Sequence, residues 1–241
     1  MAFVVKVTWV LAVAGAMVLA ACDGSENTGA TGTMAQASTA STTMKGPSCA
    51  GGLTAVSAQA NIFGAGSEFA PGPGGGGGGA LPPSVQLPEG ASVVTFPTVT
   101  GKVTALMGSL GYHGPRGDRK GATNITSYGG ISGILNRRAG LFLVAVFLTD
   151  EPPSSSAPNR LDFTKREGFR TLAPDIGQTF LVGDGKDRTF HVPPGATRLF
   201  LGFADAYSLG EGALKGNYQG RPGYYDNNGG HLCVGVGTQP E

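Results

Sequence analysis

The sequence is poor in the residues on which most catalytic and nucleic-acid-binding sites depend. It has only three histidines, and neither a His-Glu-x-x-His zinc motif nor a Gly-x-Ser-x-Gly nucleophile motif occurs. Its 17 basic and 16 acidic residues nearly cancel and form no basic block, so we expect no nucleic-acid partner. The carboxylate pair of a glycoside hydrolase cannot be recognised from sequence, which leaves a hydrolase as an alternative that no motif favours. We therefore expect a protein that is not an enzyme.

Long stretches of helical periodicity are also lacking after residue 21. Instead, 42 glycines and 16 prolines separate short segments rich in β-branched and aromatic residues, a pattern typical of strands. Residues 141–148 are continuously apolar, which predicts a strand buried on both faces. The pattern predicts an all-β fold over residues 51–241, an antiparallel β-sandwich of the jelly-roll or galactose-binding-like type. The seven predicted strands are 92–96, 101–106, 141–148, 178–182, 188–192, 197–203 and 231–236.

The first 21 residues have the pattern of an export signal. Lys6 is followed by an apolar run at 7–19, which is too short to span a membrane as a helix. The tetrad Leu19-Ala20-Ala21-Cys22 resembles the box of bacterial lipoproteins, which implies a lipid on Cys22 and anchoring to a membrane. An ordinary signal peptide cleaved near Ala21 is the alternative. We expect a protein of the bacterial cell envelope, facing either the periplasm or the cell surface.

Two segments have compositions that do not predict regular structure. Residues 22–50, which begin with the lipidated Cys22, are rich in Ser, Thr, Gly and Ala, so we expect a flexible linker. Residues 71–80 contain six consecutive glycines, and no helix pattern follows them that would make a phosphate-binding loop. We expect a flexible surface loop there.

Apart from Cys22, the chain has two cysteines, Cys49 and Cys233. Disulfides persist in exported proteins, so we expect this pair to join the start of the domain to its last strand. Two free thiols, with Cys233 facing the core, are the alternative.

Residues 222–230 carry the strongest indication of a binding site. Asp226, Asn227 and Asn228 supply three side-chain oxygens, and Gly229 and Gly230 permit a tight loop that can turn such oxygens inward. Carboxylate, amide and backbone oxygens suit Ca²⁺, which takes 6–8 oxygen ligands. The same residue types are also typical of a simple hairpin turn. Composition alone leaves both interpretations open.

Two motifs in this chain resemble the LecA-like family of bacterial galactophilic lectins. The run Pro222-Gly-Tyr-Tyr-Asp-Asn-Asn-Gly-Gly230 is similar to that family's calcium loop, Pro-Gly-x-Tyr-x-Asn-Asn-x-Gly. The run His113-Gly-Pro-Arg-Gly-Asp118 resembles its Gly-Pro-x-Gly-Asp segment. The resemblance covers about residues 90–238 and implies a β-sandwich that binds sugar through Ca²⁺.

The resemblance also implies ligands for the metal and the sugar. Asp205 would ligate Ca²⁺ from a strand end, although a long segment separates it from Pro222. One more carbonyl would come from residues 108–112, which we assign to Tyr112, and two sugar hydroxyls or water would complete the shell. The implied metal ligands are Asp205, the Tyr224 carbonyl, Asn227, Asn228 and Tyr112, and the implied ligand-binding residues are His113, Asp118, Asp205 and Asn227.

One departure limits what the resemblance implies. Residues 119–124 hold no histidine where the family has a histidine and a glutamine that contact the sugar, so specificity for galactose does not follow. The expected function is that of a calcium-dependent, lectin-like module on a lipid-anchored protein. The alternative is a structural or interaction lipoprotein whose calcium site only braces the fold or is absent. The oligomeric state stays open.

Overall fold

The computed structural model describes residues 48–71, 78–154, 156–205 and 220–240. Residues 44–241 form one compact unit by their contacts, and within the described part no helix is long and apolar enough to cross a membrane. The predicted signal segment, Cys22 and most of the linker lie outside the described residues. The strands are β1 Thr54–Ser57, β2 Ser84–Gln86, β3 Ala91–Thr104, β4 Thr123–Ile125, β5 Ile134–Asn136, β6 Leu143–Leu148, β7 Leu161–Asp162, β8 Thr171–Leu172, β9 Phe180–Leu181, β10 Thr189–His191, β11 Arg198–Phe203 and β12 Gly229–Pro240.

The domain is an all-β sandwich, as the sequence predicts. One sheet has the order β1-β12-β3-β10-β8 and the second has the order β2-β11-β6-β9, while β4, β5 and β7 form a third, smaller sheet. From β9 onward, successive strands alternate between the two larger sheets. Such crossings place consecutive segments on opposite layers, as in other sandwiches. Most pairings are antiparallel, but β8 with β10 and β5 with β7 are parallel.

A chain of phenylalanine rings joins the two larger sheets through the core. Phe96 and Phe190 belong to the first sheet, and their ring centroids lie 5.3 Å apart. Phe190 stacks on Phe180 of the second sheet at 4.8 Å, and Phe180 packs on Phe147 at 5.2 Å. All six residues of β6 are buried, which confirms the predicted strand buried on both faces. The core is thus filled by the inward faces of both sheets.

The first two predicted strands are in fact one continuous strand. β3 runs for 14 residues through Gly101, where the sequence placed a boundary. Gly101 has a φ of +104°, and a Cβ at this position would meet the carbonyl oxygen of His231 at 2.4 Å. Glycine is therefore required because its φ is positive and a side chain would collide with the backbone of β12, not because the strand ends. β3 and β12 form the longest pairing in the domain.

The expected disulfide is present between Cys49 and Cys233. Their Cα atoms are 5.7 Å apart, and the bridge links positions separated by 184 residues. Cys233 lies in β12 opposite Ala55 of β1, and it is half-buried, so the alternative of a thiol facing the core is wrong. The bridge ties the segment before β1 to β12.

We predict that the double substitution Cys49→Ser/Cys233→Ser lowers the free energy of unfolding by about 2–5 kcal/mol, because a cross-link that closes a very long loop restricts the unfolded chain. Denaturation by guanidinium chloride measures the change. Reduction of the unsubstituted protein should produce a similar loss. Equal midpoints for the oxidised protein and the double variant would show that the bridge adds no stability.

Candidate metal centre

The loop at 222–230 is not a hairpin turn between paired strands. β11 and β12, which it helps to connect, belong to different sheets. Within the loop, Tyr225–Asn227 form one turn of 3-10 helix, preceded by Tyr224 in the left-handed region at φ 63° and ψ 20°. A non-glycine residue in that region costs energy, so the surrounding contacts must hold it in place.

The side chain of Tyr225 attaches this loop to the end of β11. The residue is fully buried. Its hydroxyl donates to the carbonyl oxygen of Phe203 at 2.9 Å and accepts from the backbone N–H of Asp205 at 2.9 Å. The N–H of Gly223 also donates to the carbonyl of Asp205 at 3.3 Å. The structure therefore brings Asp205 next to the loop despite the long segment between them in sequence.

Asn228 lies directly against the Asp205 carboxylate. Its Nδ2 donates to Oδ2 of Asp205 at 2.9 Å and to the carbonyl of Ala58 at 3.2 Å. Asp205 is 6% exposed and Asn228 is 1% exposed. Two acceptors thus orient the amide nitrogen, and Oδ1 of Asn228 is the atom that remains available to a cation.

Two amide oxygens at this site are buried without a hydrogen-bond partner among the described residues. They are Oδ1 of Asn227 and Oδ1 of Asn228. A buried polar atom without a partner costs about 1–3 kcal/mol, and such atoms are rare in folded proteins. A hard cation bound near the carboxylate of Asp205 would supply the missing partner. The residues present therefore fit a calcium ion by their chemistry and by these two oxygens.

The loop that follows β3 packs against the other side of the asparagine pair. The N–H of Met107 donates to the carbonyl of Asn227 at 3.0 Å. A Cβ on Gly229 would meet Cγ of Met107 at 2.3 Å and the hydroxyl of Tyr112 at 3.1 Å, and one on Gly230 would meet Cε1 of Tyr112 at 3.0 Å. Both glycines are therefore required by close packing, whereas only Gly230 has a positive φ. Tyr112 therefore lies against Gly229 and Gly230.

The two loops that meet at Asn227 carry exposed apolar and aromatic side chains. One belongs to Tyr224 in the calcium loop, and the others belong to the loop after β3 that contacts Asn227. Together they form what we call the apolar rim: Leu106, Met107, Leu110, Tyr112 and Tyr224, all exposed.

His113 and Asp118 occupy different surroundings from each other. The backbone of His113 pairs with Val103 at the end of β3, so His113 follows the loop that carries Tyr112. Its Nε2 is buried without a described partner. The described hydrogen bonds of Asp118 do not involve the loop at 222–230. Its Oδ1 accepts from the N–H of Lys120 at 2.9 Å, and its backbone pairs with Gly140. The structure thus places His113 near the site, and Asp118 closes a turn of its own.

The end of the glycine-rich segment packs against the loop at 222–230. Sequence reasoning did not predict this contact. Oδ1 of Asp226 accepts from the N–H of Gly79 at 2.8 Å, so this carboxylate caps a neighbouring loop. Nε2 of Gln59 donates to the carbonyl of Asp226 at 2.9 Å. A Cβ on Gly79 would meet the carbonyl of Gln59 at 2.3 Å and Cβ of Tyr225 at 2.5 Å. No local pattern predicts these contacts, because they join segments far apart in the chain.

A second group of metal-ligand residue types includes two residues of β12. Cys49, His231 and Cys233 lie close together, but both sulfurs belong to the disulfide. A disulfide sulfur is not the thiolate that zinc requires. The bridge therefore accounts for this group.

No model of a known protein family matches the chain, and no curated protein matches it significantly. The lectin-like assignment therefore depends on the residues and contacts described above.

The pKa of Tyr225 lies well above its ordinary value of 10.0, because burial and the charge of Asp205 outweigh the hydrogen bond from the Asp205 backbone. The folded protein therefore keeps this proton at pH values where the unfolded chain releases it, so stability falls as the pH rises above about 10. At neutral pH we predict that Tyr225→Phe costs about 1–3 kcal/mol, because two buried backbone groups lose their partner.

Denaturation at neutral and at alkaline pH, with Tyr112→Phe as the control, tests this prediction. The alkaline loss of stability should be smaller in Tyr225→Phe than in Tyr112→Phe. The same loss in both variants would show that Tyr225 does not contribute to the alkaline instability.

Proposed function

We propose that the domain binds Ca²⁺ at Asp205, Asn227 and Asn228 and uses the ion to bind carbohydrate. The observation that carries the proposal is that two consecutive residues, Asn227 and Asn228, bury amide oxygens without a partner among the described residues, and that Asn228 contacts the buried carboxylate of Asp205. The Tyr224 carbonyl and a carbonyl of the Tyr112 loop would complete the protein's share of the shell. No catalytic role is needed for this function.

The ion would attract two adjacent sugar hydroxyls, which are oxygen ligands of the kind that Ca²⁺ accepts. The apolar rim supports this proposal, because exposed aromatic rings offer an apolar face and a polar edge to a sugar ring. Tyr112 and Tyr224 are the rim residues with both properties. His113 follows the loop that carries Tyr112 and would contact the sugar beside it. Asp118 belongs to the same motif and would contribute to binding from its own turn.

A fold-bracing calcium site is the second candidate, and the burial of Asp205 and Asn228 favours it. The site lies where the end of β11, the start of β12 and the residues after β1 meet. An ion there would hold the two larger sheets together. The two candidates differ in one respect, since only the lectin leaves a coordination position open to a sugar.

In either case, we propose that the domain is exported to the bacterial cell envelope and anchored through a lipid on Cys22. The linker at 22–50 would then separate the domain from the membrane.

Calorimetric titration of Ca²⁺ into chelator-treated full chain carrying Cys22→Ser, which prevents lipidation, tests the metal site. We expect one site per chain, a higher melting temperature with Ca²⁺, and affinity that falls by roughly tenfold or more in Asp205→Asn, because a charged ligand is lost. Asp187→Asn removes an exposed acid elsewhere and should bind normally. An absence of heat and of any thermal shift would rule out the site.

An immobilised glycan panel, probed with and without a chelator, tests the sugar. We expect retention on glycans with adjacent hydroxyls that requires Ca²⁺ and weakens in Tyr112→Ala, because the ring contact is lost. Phe69→Ala removes an aromatic ring that is more exposed than that of Tyr112 and should leave retention unchanged. Ca²⁺ binding and thermal stabilisation without any retained glycan would favour the fold-bracing site instead.

A further inference from the structure

A positively charged cleft lies between the ends of two parallel strands. Its volume is about 560 Å³. Four of the residues that line it carry a positive charge and one carries a negative charge. The lining consists of Arg137, Arg160, Leu161, Asp162, Thr164, Lys165 and Arg166.

The pairing of β5 with β7 explains why these cations gather. The two strands run parallel, with Ile134 opposite Leu161. The carboxyl ends of both strands therefore lie at the same end of the small sheet, which brings Arg137 next to the turn after β7. The N–H of Arg137 donates to Oγ1 of Thr164 at 3.2 Å, which fixes the two segments together.

The single acid in the cleft is used by its own turn. Oδ1 of Asp162 accepts from the N–H of Thr164 at 2.8 Å. Burial acts to raise the pKa of Asp162, but the hydrogen bonds from Thr164 and the charges of Arg137 and Arg160 outweigh it and hold the pKa below its usual value. The carboxylate of Asp162 is therefore ionised. The two ion pairs among the described residues, Arg116–Asp184 and Arg119–Glu167, do not include it.

Arg160 is held in position, whereas the other three cations extend into solvent. Nη1 of Arg160 donates to Oδ1 of Asn124 at 2.6 Å. Arg137, Lys165 and Arg166 are exposed. Like charges that line one cleft repel one another, so a compact anion that enters the cleft is attracted by all of them. Arg160 therefore offers its guanidinium in a fixed position. The exposed side chains can move toward a bound anion.

We propose that this cleft binds a phosphate group, either free or carried on a sugar or a lipid headgroup. Its excess of positive charge is opposite in sign to the charge of a phosphate. Arginine also pairs with phosphate oxygens through two parallel hydrogen bonds. The cleft is open, so the phosphate can remain attached to a larger molecule. This site is separate from the proposed calcium centre and does not depend on it.

The test uses the full chain carrying Cys22→Ser in calcium-free buffer, so that phosphate does not precipitate and the calcium centre plays no part. Inorganic phosphate is titrated calorimetrically at low ionic strength. Sedimentation with phosphatidylcholine vesicles, with and without phosphatidylglycerol, forms the second arm. The variant Arg137→Gln/Arg166→Gln removes two cations from the cleft, and Lys102→Gln/Lys186→Gln removes two exposed cations elsewhere.

We expect the cleft variant to bind phosphate roughly tenfold or more weakly, since a hydrogen bond to a charged group typically changes affinity by that factor. The control variant should bind as the parent does. Phosphate binding without sedimentation supports a free or sugar phosphate, and sedimentation that requires phosphatidylglycerol and the cleft arginines supports a headgroup. No binding to either probe, or an equal loss in both variants, would overturn the proposal.

Discussion

The proposed metal centre depends on one buried phenol hydroxyl. Tyr225 donates to the carbonyl of Phe203 and accepts from the N–H of Asp205, so a single oxygen satisfies two backbone groups at the end of β11. Burial of the ring supplies the hydrophobic free energy that keeps the loop against the core. Because the loop is held at this point, Asn227 and Asn228 follow at fixed positions. Without it, the loop would keep only the hydrogen bonds of Gly223 and Asn228 to Asp205.

A second constraint acts through the segments that pack around Tyr225. Gly79 lies so close to its Cβ that no side chain fits there, and Asp226 caps the N–H of the same glycine. On the opposite side, Met107 and Tyr112 cover Gly229 and Gly230. These contacts bury Tyr225 and Asn228 within the loop, whereas Tyr224 stays exposed as part of the apolar rim. A buried carboxylate, two unpartnered amide oxygens and an exposed aromatic edge are the combination on which the lectin proposal rests.

Much of the fold could be predicted because strand signals are local. The buried strand β6 is visible as an unbroken apolar run, and β10 to β12 are visible as short β-branched segments between turns. The strands that were not predicted are two to four residues long, too short to show an alternating pattern: β1, β2, β4, β5, β7 and β8. Gly101 was misinterpreted as a boundary because a glycine required by close backbone approach within a strand and a glycine that ends a strand look alike in sequence.

The site shows the same division between local and long-range information. The oxygen-rich loop at 222–230 and the disulfide partners could be named from residue types and order, whereas Asp205 was named only through the resemblance to the lectin family. Tertiary structure alone decided that Asp226 caps Gly79, that the backbone of Asp118 pairs with Gly140, and that four cations meet beside β5 and β7. By itself, the sequence determined an all-β chain with a candidate cation loop, because strand propensity and ligand chemistry belong to neighbouring residues. Which oxygens are buried, and which charges are close together, depends on segments brought together only when the sheets pack.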